Sequence, residues 1–114
     1  MDITLIYITT KDTEEARRIG RTLVEERLVA CVNIVDNVNS LYWWEEKIVD
    51  DREAIVIAKT KGALVPAVIE RVKSLHGYSC PCVVALPIVD GNKDFLSWVC
   101  NETVTSSESR PSFG

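Results

Sequence analysis

Apolar side chains occupy both faces of the segment Ile3 to Thr9, with Ile3, Leu5 and Tyr7 alternating against Ile6 and Ile8. A strand that is apolar on both faces belongs in the middle of a sheet. The period then changes. Ala16, Ile19, Gly20, Leu23, Val24 and Leu28 recur at helical spacing, which predicts an amphipathic helix of about four turns. Asp12 or Thr10 can cap it, and Glu14 and Glu15 suit its first turn. Ala30 to Val38 reads as a second strand with a bulge or bend at Asp36-Asn37, after which Val38, Leu41, Tyr42 and Trp44 resume the extended pattern. A turn near Glu45-Glu46-Lys47 sends the chain back through Ile48 to Thr60, where Ala54 to Ala58 is again apolar on both faces. Leu64, Val65, Val68, Ile69, Val72 and Leu75 form the buried stripe of a helix from about Ala63 to Leu75. Pro66 must lie in its first turn, and Gly77 is its expected stop. Val83 to Val89 is a fourth strand, and Phe95, Leu96, Val99 and Cys100 mark a short last helix.

The order βαββαβ plus a terminal helix predicts an α+β, ferredoxin-like sandwich. One domain should span residues 1–104, with 105–114 a loose Ser, Pro and Gly-bearing tail. Strands one and three should be central and strands two and four at the edges. Pro87 agrees, because a proline cannot donate to a ladder and is tolerated at an edge.

The run Tyr42-Trp43-Trp44 alters this picture of a small self-sufficient domain. The chain holds three Trp, three Tyr and two Phe, and three of these fall side by side in a strand. Alternation puts Tyr42 and Trp44 on one face and Trp43 on the other. A chain of 114 residues has limited core to cover both. A neighbouring subunit is the economical cover, so the three aromatics are candidate interface residues, favoured over a stacking platform for a ligand.

Charge excludes more than it suggests. The net charge is −4, and Arg17, Arg18 and Arg21 are interleaved with acids on a solvated helix face. Nucleic-acid binding is therefore not expected. No secretory signal or membrane span is visible, so the cytoplasm is the expected compartment, with Cys31, Cys80, Cys82 and Cys100 as thiols. No phosphate loop, HExxH pattern or defensible nucleophile–base grouping is present, and no enzymatic activity is expected.

The segment His76-Gly77-Tyr78-Ser79-Cys80-Pro81-Cys82 contains the sole histidine and two of the four cysteines. Imidazole and thiolate suit zinc and copper, thiolate favouring copper(I). The competing reading makes His76 a helix-ending cation and the cysteines small buried hydrophobes, and spacing alone favours it. Cys31 in its strand and Cys100 on the last helix read as core before ligand. Asp50, Asp51 and Glu53 could hold a hard cation, but a solvated hairpin shoulder is the simpler reading.

Taken in order, these segments resemble the CutA family of divalent-cation tolerance proteins. The motifs are Ala30-Cys31-Val32-Asn33-Ile34, Ser40 with Tyr42-Trp43-Trp44-Glu45 and Lys47, and Lys59-Thr60. They continue with His76, Tyr78 and Pro81, Leu86-Pro87-Ile88, and Gly91-Asn92 with Asp94, Leu96 and Trp98. The resemblance spans about Ile3 to Val99. It implies a homotrimer similar in architecture to PII signalling proteins, in which the long hairpin of one subunit extends the sheet of the next. It also implies tolerance or binding of copper and other divalent metals, with His76, Cys82, Cys80 and Cys31 as candidate ligands. The alternative is a PII-like module that binds a small ligand or partner in intersubunit clefts, where Lys47, Lys59 and Tyr78 are the candidates. The chain departs from the family's His-Pro-Tyr-Glu-x-Pro-Glu at Gly77, Ser79 and Cys82, and Glu46 stands where glycine is common. A thiolate replacing a carboxylate at Cys82 should shift preference toward copper(I) or zinc.

Overall fold

A computed structural model describes residues 2–105. The elements follow the expected order: β1 Ile3–Thr10, α1 Thr13–Glu25, β2 Cys31–Trp44, β3 Lys47–Lys61, a 3-10 turn Gly62–Leu64, α2 Val65–Leu75, β4 Val83–Pro87 and α3 Lys93–Glu102. The strands form one antiparallel sheet in the order β2-β3-β1-β4. The two central strands are those whose sequences are apolar on both faces. The tail expected from Thr105 lies, beyond Thr105 itself, outside the described residues.

One sheet face is sealed. Ile6, Ile8, Ala54, Val56 and Ala58 are buried against Ala16, Ile19 and Leu23 of α1 and Val68 and Val72 of α2. At roughly 1.5–3 kcal/mol per fully buried large aliphatic side chain, this layer is the main source of stability. α1 starts where Asp12 accepts a hydrogen bond from the Glu15 backbone N–H, the capping expected of that residue. It stops at Glu25, a turn earlier than the apolar stripe suggested, because Arg27 takes a left-handed φ of 56°. Leu28 and Val29 still reach the core from the following loop.

Three further boundaries move. β4 ends at Pro87, not Val89, since only the Ile88 N–H bonds onward, to Ile3 O. α2 proper begins at Val65, with Pro66 in its first turn as required. Gly77 is not its left-handed stop. His76 caps the helix in extended backbone, and Gly77 has no positive φ. A Cβ at Gly77 would lie 2.9 Å from Glu15 Oε2, so a larger residue there requires the Glu15 carboxylate to shift.

The other sheet face is only partly covered, by α3. The bulge at Asp36-Asn37 decides what lies on it. Val35 pairs with Ile55 but Val38 pairs with Glu53, so β2 inserts one extra residue, with Asn37 at φ 56°. The insertion shifts the alternation by one, and Val38, Ser40, Tyr42 and Trp44 continue the face of Cys31, Asn33 and Val35. Without it, Tyr42 and Trp44 would point to the opposite side.

Candidate functional site

Where the twisted hairpin leaves the sheet, its face meets the loop joining α2 to β4 and encloses a cleft of about 700 Å³. Ser40, Tyr42 and Trp44 come from β2, Glu53 from β3, Thr9 from β1, and Gly77, Tyr78, Ser79, Cys80 and Cys82 from the loop. The loop is held at its root by a buried carboxylate. Glu15, 3% exposed, accepts from the Lys11 N–H through Oε1 at 3.0 Å and from the Gly77 N–H through Oε2 at 2.8 Å.

His76 belongs to the same anchor. Its ring is fully buried, although its backbone is partly exposed. The Tyr78 N–H lies 3.0 Å from Nδ1 and can only donate, so Nδ1 accepts. Thr9 O lies 2.7 Å from Nε2 and can only accept, so Nε2 carries the proton. Both nitrogens are thereby committed to backbone. The imidazole offers no lone pair to a metal in this conformation, contrary to the expectation of His76 as a ligand.

The two thiols are in a different position. Cys80 and Cys82 are exposed, which removes the reading of them as buried hydrophobes, and both line the cleft. Cys31 does not join them. It is half-buried far along the sheet opposite Lys59, and Cys100 is half-buried on α3. Among the described residues, no group of three or more His, Cys, Asp and Glu side chains is placed to hold a metal ion. A closed tetrahedral centre of the zinc type therefore does not fit.

Tyr78 and Glu53 form the polar floor. The Tyr78 hydroxyl donates to Glu53 Oε2 at 2.8 Å. Burial first, then this hydrogen bond and the charge of Glu53, hold the Tyr78 phenol above the usual tyrosine range. Tyr42 is pushed up as well, by burial and by the charges of Glu53 and Asp51. Both phenols thus lie withdrawn from water beside acidic side chains.

The basic residues considered for a cleft ligand are elsewhere. Lys59 Nζ donates to Asn33 Oδ1 at 3.2 Å and stands 6.0 Å from the Phe95 ring centroid. Lys47 closes the hairpin opposite Trp44. Of the candidate interface aromatics, Tyr42 and Trp44 face the cleft, while Trp43 pairs with Ile48 on the reverse of the hairpin and is 71% exposed. Sequence reasoning passed over Glu53 and Glu15, reading one as a hairpin shoulder and the other as a first-turn acid. The signal for Glu53 was its place directly before the buried run Ala54 to Ala58.

Comparison with known proteins agrees along almost the whole chain. The profile of the CutA1 divalent ion tolerance protein family matches residues 4–102. The divalent-cation tolerance protein CutA of Thermus thermophilus is 46% identical over 99 residues, covering 87% of this chain and 96% of the relative. Against the chloroplastic CutA 1 of Oryza sativa the identity is 42%, but the chain spans only 56% of that relative's length. The solved structure of the Thermus thermophilus protein superposes with a TM-score of 0.87 at 44% identity, covering 90% of this chain and 99% of that one. The Oryza sativa CutA1 structure gives 0.89 at 40% identity, with 91% and 95% covered. The chain belongs to the CutA1 divalent ion tolerance family.

Proposed function

We propose that the protein is a homotrimeric divalent-cation tolerance protein that captures a soft metal ion, copper foremost, through Cys80 and Cys82. The observation that carries this reading is the pair of exposed thiols, separated only by Pro81 and lining one cleft. Thiolates select copper(I) over harder ions, and copper(I) accepts a low coordination number that two sulfurs can satisfy. The metal is cargo and no catalytic role is assigned to it. The thiols must stay reduced, as a cytoplasmic setting would keep them.

Assembly is supported by apolar surface that a free subunit would leave in water. Val35, Val84 and Leu86 on the open sheet face, with Phe95 and Trp98 of α3, are all at least 40% exposed. Leu41, Trp43 and Ile48 form a second patch on the hairpin. Large exposed apolar side chains in this number mark an interface, and a stable one buries about 1,000 Å² or more.

The test is native mass spectrometry of reduced protein titrated with copper(I), copper(II) and zinc against a competing chelator. Trimers should fill to one copper(I) per subunit. Cys82→Ser should weaken copper(I) by at least about tenfold, or roughly 1.4 kcal/mol. An unchanged affinity in Cys82→Ser, or trimers empty until metal is in gross excess, would reject the thiol site.

A further inference from the structure

We propose that the cleft between the hairpin and the 76–82 loop also binds a small organic cation, a protonated amine carried on an apolar or aromatic body. It shares the cleft with the two thiols but is anchored on a carboxylate instead, and it goes beyond metal tolerance.

Glu53 is the anchor. It is 5% exposed, and the hydrogen bond its carboxylate takes among the described residues comes from the Tyr78 hydroxyl, to Oε2. No cationic side chain pairs with it among the described residues. Among the described residues its second oxygen takes no side-chain hydrogen bond and no buried side-chain oxygen lacks a partner, so that oxygen keeps some contact with solvent. A guest ammonium would meet this carboxylate with a charge-assisted hydrogen bond.

The walls suit the same guest. Tyr42, Trp44 and Tyr78 give the cleft three aromatic side chains, whose ring faces attract a cation. The volume of about 700 Å³ is that of a small-molecule site rather than an ion site. Such sites commonly enclose about 300–1,000 Å³, apolar for the most part with few polar anchors. Other occupants match less well. Among the described residues no Lys or Arg lines the cleft, so phosphate and other anions meet the charges of Glu53 and nearby Asp51 with no cation to offset them. A hard divalent ion would want about six or more oxygen ligands, and among the described residues no three His, Cys, Asp or Glu side chains converge.

The experiment compares phenethylammonium with 2-phenylethanol, which keeps the aromatic body and loses the charge. Titration calorimetry on the full chain at low salt is the readout. The cation should bind at least about tenfold tighter than the alcohol. Glu53→Gln should erase that preference while leaving alcohol affinity unchanged. Trp44→Leu keeps an apolar side chain at a position 47% exposed in the isolated chain, and should weaken the cation about three- to fivefold. Cys80→Ser/Cys82→Ser should lose copper(I) and retain the amine preference, which separates failure here from failure of the metal reading. Equal binding of cation and alcohol, or a cation affinity untouched by Glu53→Gln or by Trp44→Leu, would overturn the proposal.

Discussion

Glu15 shows how one side chain can hold a functional loop in place from another element. Its two oxygens accept from backbone N–H groups at Lys11 and Gly77, on either side of the sheet's end. A glutamine in its place can offer only one oxygen and must turn its NH₂ toward one of these donors. A buried donor left without an acceptor costs about 1–3 kcal/mol. Lys11 and Gly77 are themselves exposed, so Glu15→Gln is expected to lower unfolding free energy by about 1 kcal/mol, the low end of that range, read from the urea midpoint at unchanged m-value. It should also loosen the 77–82 segment, seen as faster amide exchange there than in the sheet. A variant with wild-type stability would show that the Gly77 contact does not anchor the loop. The same anchor explains His76: a residue whose type suggests metal ligation is tied through both nitrogens to Thr9 and Tyr78 backbone.

The β2–β3 hairpin determines where the cleft forms, and its turn carries visible strain. Trp44 pairs with Lys47, leaving Glu45 and Glu46 as a two-residue connection with φ of 49° and 64°. Both dihedrals are left-handed, the geometry of a type I′ turn, which glycine and asparagine fill without steric cost. Roughly 1–2 kcal/mol per non-glycine residue is the usual penalty. Glu46→Gly should raise stability by about 1 kcal/mol, compared at one protein concentration by urea unfolding; a loss would mean the glutamate side chain makes compensating contacts. Most of this element was legible beforehand. Aromatic and β-branched runs, the Asp36-Asn37 interruption and the doubly apolar Ala54–Ala58 stretch define the strands, and Pro87 marks the edge. The cleft was half legible. Tyr78, Cys80 and Cys82 stood out by type and spacing, whereas Glu53 did not, because its burial depends on the bulge shifting the register of a partner strand. His76 misled for a related reason: periodicity locates a helix end, but says nothing of which carbonyl the capping ring will meet.

At the scale of the whole molecule, two apolar surfaces remain, and they make different demands on an assembled protein. The open sheet face carries Val84 and Leu86 beside Phe95 and Trp98, while the reverse of the hairpin carries Leu41, Trp43 and Ile48. In a homotrimer built by hairpin exchange both should be covered, the sheet face by packing and the hairpin by strand pairing with a neighbour. A single charge on each surface distinguishes them. Leu86 is 49% exposed in the isolated chain, so Leu86→Asp costs little as a monomer but would place an unpaired charge in the centre of a sheet interface. Sedimentation equilibrium should then show monomer at micromolar concentration with wild-type secondary structure by circular dichroism. Trp43→Asp acts at the hairpin end and should weaken the trimer less, shifting its dissociation to higher protein concentration without abolishing assembly. Should Leu86→Asp remain fully trimeric, the sheet face lies outside the interface, and the hairpin alone must hold the subunits together.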